Sequence, residues 1–309
     1  MKDNKKHKKA EYGILITGLI ILLAATCVIA LCAGQYSVSV PEVIKILASR
    51  FVNVTKTWSN TAEGVVFTLR LPRMIGAVLV GSALSLSGAA YQGVFKNPLV
   101  APDLLGVSSG ACVGASVAIL LHLNSFGVQA MAFVAGILAV GLTLFIPRLI
   151  KNTNMTMLVL SGIIVKGIMD SVMGIIKYVA DPETELQSIT YWQLGSLTKV
   201  LPRDLFTVGP VIIAASVIIF LLRWRINILS LGDREAKTLG VSVTVVRNFI
   251  IICATLLTAS AVCISGTIGW IGLVIPHFAR MLTGPDNTKA IPGKHFADIF
   301  QIQNHLCNE

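Results

Sequence analysis

Lys166 and Asp170 stand four residues apart within an otherwise apolar stretch, so on a helix an ammonium and a carboxylate share one face and can neutralise each other. Ionisable groups at membrane depth are functional candidates, and an ion-coupled carrier would use such a pair. One pair in so apolar a chain is thin support for coupling, and the spacing reads as structural pairing. His277, in Ile275-Pro276-His277-Phe278-Ala279-Arg280, offers a proton carrier or a ligand. With no carboxylate near it in the sequence, it reads as a hydrogen-bonding residue at a helix end. The cysteines are Cys27, Cys32, Cys112, Cys253, Cys263 and Cys307. All but one sit in apolar runs and none forms a C-x-x-C pair, so they read as small core residues, not metal ligands or disulfides. No phosphate loop, G-x-G-x-x-G, H-E-x-x-H or G-x-S-x-G is read as a catalytic motif. No catalytic residue, metal or cofactor is expected, and nothing reads as an enzyme.

The segment 226–243 is more informative. Asp233 takes the place of an N-cap and Gly240 that of a C-terminal stop. Between them lies a helix of under two turns, with Ala236 and Leu239 on one face. A helix this short is not stable alone, so neighbours or a partner must hold it. Projecting from a transport-like bundle it reads as a docking element; the alternative is an ordinary loop.

The elements that must position these groups follow from composition. Of 309 residues, 54% are hydrophobic and 13% charged, against about 25% charged in a soluble domain. Such a chain cannot cover its surface with polar groups, which excludes soluble, disordered, collagen-like and disulfide-framework classes. Uncharged runs occupy 12–36, 74–95, 104–147, 205–222 and 248–279. The third is too long for one crossing and breaks near His122-Leu123-Asn124-Ser125; the last breaks near Ser265-Gly266. With 155–180 added, eight spans of about 20 residues are expected in an all-α polytopic bundle.

Residues 1–12 form a basic N-terminus, and the run after them exceeds the roughly 7–15 residues of a signal core, so it reads as an uncleaved first span. With that end in the cytoplasm, twice as many Lys and Arg fall inside as outside. This fits the positive-inside rule, and the net charge of +10 is topological, with no nucleic acid implied. Lipid is the expected solvent and the cell membrane the expected location.

Gly81, Ser85, Ala89 and Gly93 recur every fourth residue, and so do Gly106, Gly110, Gly114 and Ala118. Small residues at this spacing give a flat face for close helix approach. Ser39 and Glu42 have capping-box spacing, and Val40, Val43, Ile44 and Leu47 share a helical face, predicting a short helix on the outer surface.

Several longer motifs occur in order: Leu69-Arg70-Leu71-Pro72-Arg73, then Gly81, Ser87-Gly88, Gln92, Asn97-Pro98-Leu99, Pro102 and Leu105-Gly106-Val107-Ser108-Ser109-Gly110-Ala111. Trp192-Gln193-Leu194-Gly195-Ser196-Leu197, Leu231-Gly232-Asp233 and Gly266-Thr267-Ile268-Gly269-Trp270-Ile271-Gly272-Leu273-Val274-Ile275-Pro276-His277 follow. Over residues 13–292 the chain resembles the iron–siderophore and cobalamin permease family of ABC importers (FecCD-type). The resemblance implies a permease subunit that pairs with a second permease, as homo- or heterodimer. It would sit on cytoplasmic ATPase subunits and receive cargo from an extracytoplasmic substrate-binding protein or lipoprotein. It assigns the ATPase-coupling role to Leu231, Gly232, Asp233, Ala236, Leu239 and Gly240. Arg70 and Arg73 match paired arginines that meet acidic residues of the binding protein. Two guanidiniums three residues apart suit carboxylates, whereas residue types alone read as interfacial anchors.

The likeness stops after residue 292. Family members continue with two more spans and another outer arginine; here 293–309 is a polar tail too short to cross. Truncation, frameshift or divergence would each leave eight helices of ten, which raises the alternative of a non-transporting remnant. The expected cargo is a ferric siderophore, with cobalamin or haem as alternatives by the same mechanism. An ion-coupled secondary carrier relying on Lys166 and Asp170 is the alternative from another class.

Overall fold

The computed structural model describes residues 2–152 and 154–283. The 293–309 tail, the boundary at 292 and Cys307 lie outside the described residues. Those described are helical, in the order α1 (Lys2–Cys32), α2 (Val40–Ala48), α3 (Asn60–Gly64), a π-helical turn (Val65–Arg70) and α4 (Leu71–Phe95). A 3₁₀ turn (Pro102–Leu105) leads to α5 (Val107–Leu120), α6 (Ser125–Leu149), α7 (Met155–Val179) and α8 (Glu185–Leu194). α9 (Pro202–Leu231), α10 (Asp233–Thr238), α11 (Val243–Ser265) and α12 (Ile271–Thr283) complete the order.

Among the described residues six helical stretches are long and apolar enough to cross a membrane: Gly13–Cys32, Asn60–Phe95, Ser125–Leu149, Met155–Val179, Pro202–Leu231 and Val243–Ser265. The other two expected spans correspond to α5 and α12, of 14 and 13 residues. At 1.5 Å per residue α5 reaches about 20 Å of a roughly 30 Å hydrocarbon core, and it follows the 3₁₀ turn directly.

Two boundaries differ from the uncharged runs for one reason: a charge ends an apolar run without ending a helix. The span expected at 74–95 begins at Asn60 and passes through the π turn, where the Leu71 N–H donates to the Val66 carbonyl. Pro72 follows at once, lacking an N–H and crowding the preceding turn, which the wider π turn accommodates. The span expected at 205–222 continues to Leu231, past Arg223, whose guanidinium stacks on Phe220 at 4.1 Å.

α4 and α11 form the centre. Every residue from Val80 to Phe95 is buried, and the Tyr91 hydroxyl and Thr255 Oγ1 share a hydrogen bond of 2.9 Å between the two helices. The small-residue face of α5 packs closely at two positions. A Cβ on Gly110 would lie 2.5 Å from the Ala139 methyl, and one on Gly114 would lie 2.3 Å from the Met131 carbonyl oxygen, so α5 seats on α6 at those two positions. Gly81, Ser85, Ala89 and Gly93 are all buried in α4. Gly106 serves differently: it stands before α5 with φ +82°, and a Cβ there would meet only ordinary contacts. Its left-handed backbone, not helix packing, is what requires glycine. The tightest approach is at Gly88, where a Cβ would fall 1.8 Å from the Gly272 carbonyl oxygen.

α2 starts with the expected box, the Ser39 N–H donating to Glu42 Oε2 at 3.2 Å. Its buried stripe is Val43 and Ile46, packed with Leu31, Val38, Trp58, Ala62 and Val66. Val40 and Ile44 face outward, correcting the expected face by part of a turn. Cys112, Cys253 and Cys263 are buried and Cys27 and Cys32 partly so, as core residues should be.

Candidate functional site

α9 runs directly into α10 through Gly232, which turns the chain at φ +148°. Gly232, not Asp233, is the N-cap, because the Asp233 carboxylate is engaged elsewhere. Lys96 Nζ donates to Asp233 Oδ1 at 2.9 Å, and Arg247 Nη2 donates to both oxygens at 2.8 Å. The Arg247 guanidinium, followed by burial and Lys96, sets the balance that holds this carboxyl below its ordinary range. Lys96 caps α4 in a left-handed conformation (φ +53°), and Arg247 lies in the first turns of α11. One side chain of α10 is thereby tied to both central helices.

The stop at Gly240 forms as expected. With φ +75° it lets the Gly240 N–H donate to the Lys237 carbonyl and the Val241 N–H to the Ala236 carbonyl, each at 3.0 Å. This is the paired closure of a Schellman motif. Ala236 and Leu239 do not share a buried face: Ala236 is fully buried, while Leu239 is 57% and Leu231 67% exposed. Ala236 anchors the element and the two leucines are presented outward.

Arg70 and Arg73 line one cavity of about 400 Å³, together with Gln35, Tyr36, Met74 and Thr198. Arg70 is largely committed. Its Nη1 donates to the Leu31 and Cys32 carbonyls at 2.8 and 3.2 Å, and its Nη2 to the Tyr36 carbonyl at 2.5 Å. These include the last carbonyls of α1, which have no partner inside the helix. Arg73 has no hydrogen-bond partner among the described residues and is partly exposed.

The 3₁₀ turn at Pro102–Leu105 meets the start of α12 against α4. Pro102 packs on Gly272, a Cβ of which would fall 2.3 Å from the Pro102 ring and 2.8 Å from the Leu84 carbonyl oxygen, in the middle of α4. Thr267 Oγ1 donates to the Gln193 carbonyl, and Trp270 adopts φ +69°. A cavity of about 310 Å³ lies between them, lined by Asp103, Ser108, Thr258, Thr267 and Trp270 among others. Irregular backbone at this depth is tolerated only when buried in protein or lining a wet cavity.

Lys166 does not pair with Asp170. Its Nζ lies 3.3 Å from Asp103 Oδ2 on the 3₁₀ turn. Spacing along one helix could not reveal a partner on another. Asp170 is exposed and makes no hydrogen bond or ion pair with the described residues. His277 is likewise exposed without a hydrogen bond among them. Its neighbour in the turn, Arg280, instead donates through Nη2 to Gln92 Oε1, and Gln92 Nε2 donates to the Leu273 carbonyl at 3.1 Å. Gly106-Val107-Ser108-Ser109-Gly110 has the spacing of a nucleophile elbow, yet these residues open a membrane helix, and Ser108 has no hydrogen-bond partner among the described residues. Asp103, Lys96 and Arg247 escaped the sequence reading. The only sequence signal for any of them was Lys96, a lone cation closing an apolar run.

Comparison with known proteins follows from this geometry. The sequence profile of the FecCD transport family matches residues 21–297. The molybdate import system permease protein MolB of Haemophilus influenzae is 36% identical over 283 residues, covering 91% of this chain and 83% of its own length. An iron chelatin transport system permease of Helicobacter pylori is 40% identical over 227 residues, covering 74% of this chain and 68% of its own. A solved metal-chelate-type ABC transporter in an inward-facing conformation superposes with a TM-score of 0.84 at 32% identity, over 94% of this chain and 89% of its own.

Proposed function

The chain belongs to the FecCD transport family, a multi-pass membrane permease of the ABC-importer type, and from that premise we propose that its cargo is a ferric chelate. Permeases of this family work with an ATPase and a substrate-binding protein. In this reading α10 docks on the cytoplasmic ATPase subunits, a second permease subunit completes the path, and the N-terminus lies in the cytoplasm. The observation that carries it is the tether at Asp233. Any displacement of α10 is passed to α4 and α11 through Lys96 and Arg247, while Leu231 and Leu239 remain outward for a partner.

At the outer end Arg73 is the arginine with donors to spare for a carboxylate of the binding protein. Arg70 supports it by holding the end of α1 in place. The role assigned to the pair therefore divides: one residue docks, the other positions.

Molybdate is the second reading, favoured by the likeness to the Haemophilus influenzae permease over nine-tenths of the chain. The test is uptake into vesicles holding the permease with its ATPase and binding protein, using radiolabelled ferric siderophore and radiolabelled molybdate in parallel. ATP-dependent accumulation of the chelate alone supports the proposal, and of molybdate alone replaces it. Uptake that ignores ATP but collapses with an uncoupler would favour the ion-coupled carrier. No substrate-dependent ATPase stimulation would mark a remnant.

A further inference from the structure

α7 is long enough to span, yet only 28% of its spanning window is buried. On this open side it carries Lys166 at its centre and Asp170 one turn further out. Lys177, two turns beyond, is engaged by the Gln193 side-chain oxygen at 2.6 Å. Charged groups at mid-span turn toward protein partners or a water-filled path rather than lipid. The Lys166 and Asp103 side chains are 46% and 41% exposed, so burial in protein does not account for them. Their separation of 3.3 Å exceeds the roughly 2.7–2.9 Å of a firm charge-assisted bond. Two of the three lysine N–H donors are uncommitted. Asp103 also lines the 310 Å³ cavity beside the start of α12, a mostly apolar space into which Asp103, Ser108, Thr258 and Thr267 bring the polar groups.

We propose that Lys166 is a cargo contact half-way along the translocation path, its ammonium passing from Asp103 to anionic oxygens of the cargo. The inference rests on the permease reading. It names a chemistry shared by both candidate cargoes, since ferric chelates and molybdate each present negatively charged oxygens. Asp103 holds the lysine between transits and keeps the pair neutral at rest.

The test uses the permease assembled with its ATPase and binding protein. Lys166→Cys, in a background whose native cysteines are replaced and which retains uptake, is exposed to a membrane-impermeant anionic methanethiosulfonate. The residue should be modified, and whichever cargo is transported, ferric siderophore or molybdate, should slow the modification several-fold. In parallel, Lys166→Gln should lower uptake about tenfold with basal ATPase activity and binding-protein docking unchanged, and Lys166→Arg should restore most of it, which separates loss of contact from misfolding. No modification, modification indifferent to the transported cargo, or normal uptake by Lys166→Gln would each overturn the assignment. Absence of ATP-dependent uptake by the unmutated chain would instead defeat the permease reading beneath it.

Discussion

Arg247 Nη2 lies 2.8 Å from both carboxylate oxygens of Asp233, joining the first turns of a central helix to a six-residue element whose other anchor is the buried Ala236. A helix of this length does not persist on its own propensity. Arg247 is mostly buried, so removing the carboxylate strands a cation in the protein.

Asp233→Ala should therefore loosen α10, with a local cost of about 1–2 kcal/mol, kept small because the carboxylate is half exposed. Overall insertion should persist. ATP hydrolysis should continue while uptake falls, and measuring the two rates together in reconstituted vesicles checks this. Normal coupling would remove the tether from the mechanism.

The same contact gives a pH dependence of known sign. Asp233 has a depressed folded-state pKa, caused first by its hydrogen bond to Arg247. Its contribution is complete above the ordinary carboxylate range and is lost only as pH falls through the lower folded value. The ratio of uptake to ATP hydrolysed should thus stay flat from neutral pH down to about pH 5. A ratio that collapses between pH 7 and pH 6 would show that another group controls coupling.

Packing at the crossing of α4 and α12 predicts a sharp contrast between glycines. Gly88→Ala drives a methyl onto the Gly272 carbonyl oxygen, while Gly167→Ala on the open side of α7 meets nothing within 4 Å. The first should cost about 1–3 kcal/mol or prevent assembly; the second should be neutral. Thermal unfolding of the two purified variants in one detergent decides between them.

How far the sequence reached depended on how local each signal was. Apolar run length located the helices, and four-residue spacing of Gly110 and Gly114 located a real interface, because both are properties of one helix. Gly240 was legible because a left-handed stop is a local demand. Partnerships across the bundle were not: Lys166 was assigned to Asp170 on its own helix, and Asp233 to its own N-terminus. Each instead meets a residue brought in by chain topology, Asp103 in the first case and Lys96 with Arg247 in the second. The approach of Pro102 and Gly88 to Gly272 was hidden for the same reason, since it joins segments distant in sequence.

Leu231 and Leu239 should be the contact residues of α10, because they are exposed while Ala236 is not. Leu239→Asp should weaken copurification of the ATPase about tenfold while leaving the fold intact. Ala236→Asp should instead destabilise the permease itself, as a carboxylate would be forced into a fully buried position. Equal effects of both variants on thermal stability would count against this division.

Arg70 and Arg73 give the last contrast. Arg70 satisfies carbonyls at the end of α1, so Arg70→Ala leaves those acceptors short and removes the link between α1 and the outer part of α4. It should lower the melting temperature, at a cost of about 1–3 kcal/mol, and weaken binding-protein docking only as a consequence. Arg73 makes no such bonds among the described residues, so Arg73→Glu should leave the melting temperature nearly unchanged while reversing the charge offered to the partner. Docking measured with immobilised permease should then fall at least tenfold and show a weaker salt dependence. Loss of docking without loss of stability in Arg70→Ala, or the converse in Arg73→Glu, would exchange the two roles, because the donors free for the binding protein would then be those of Arg70.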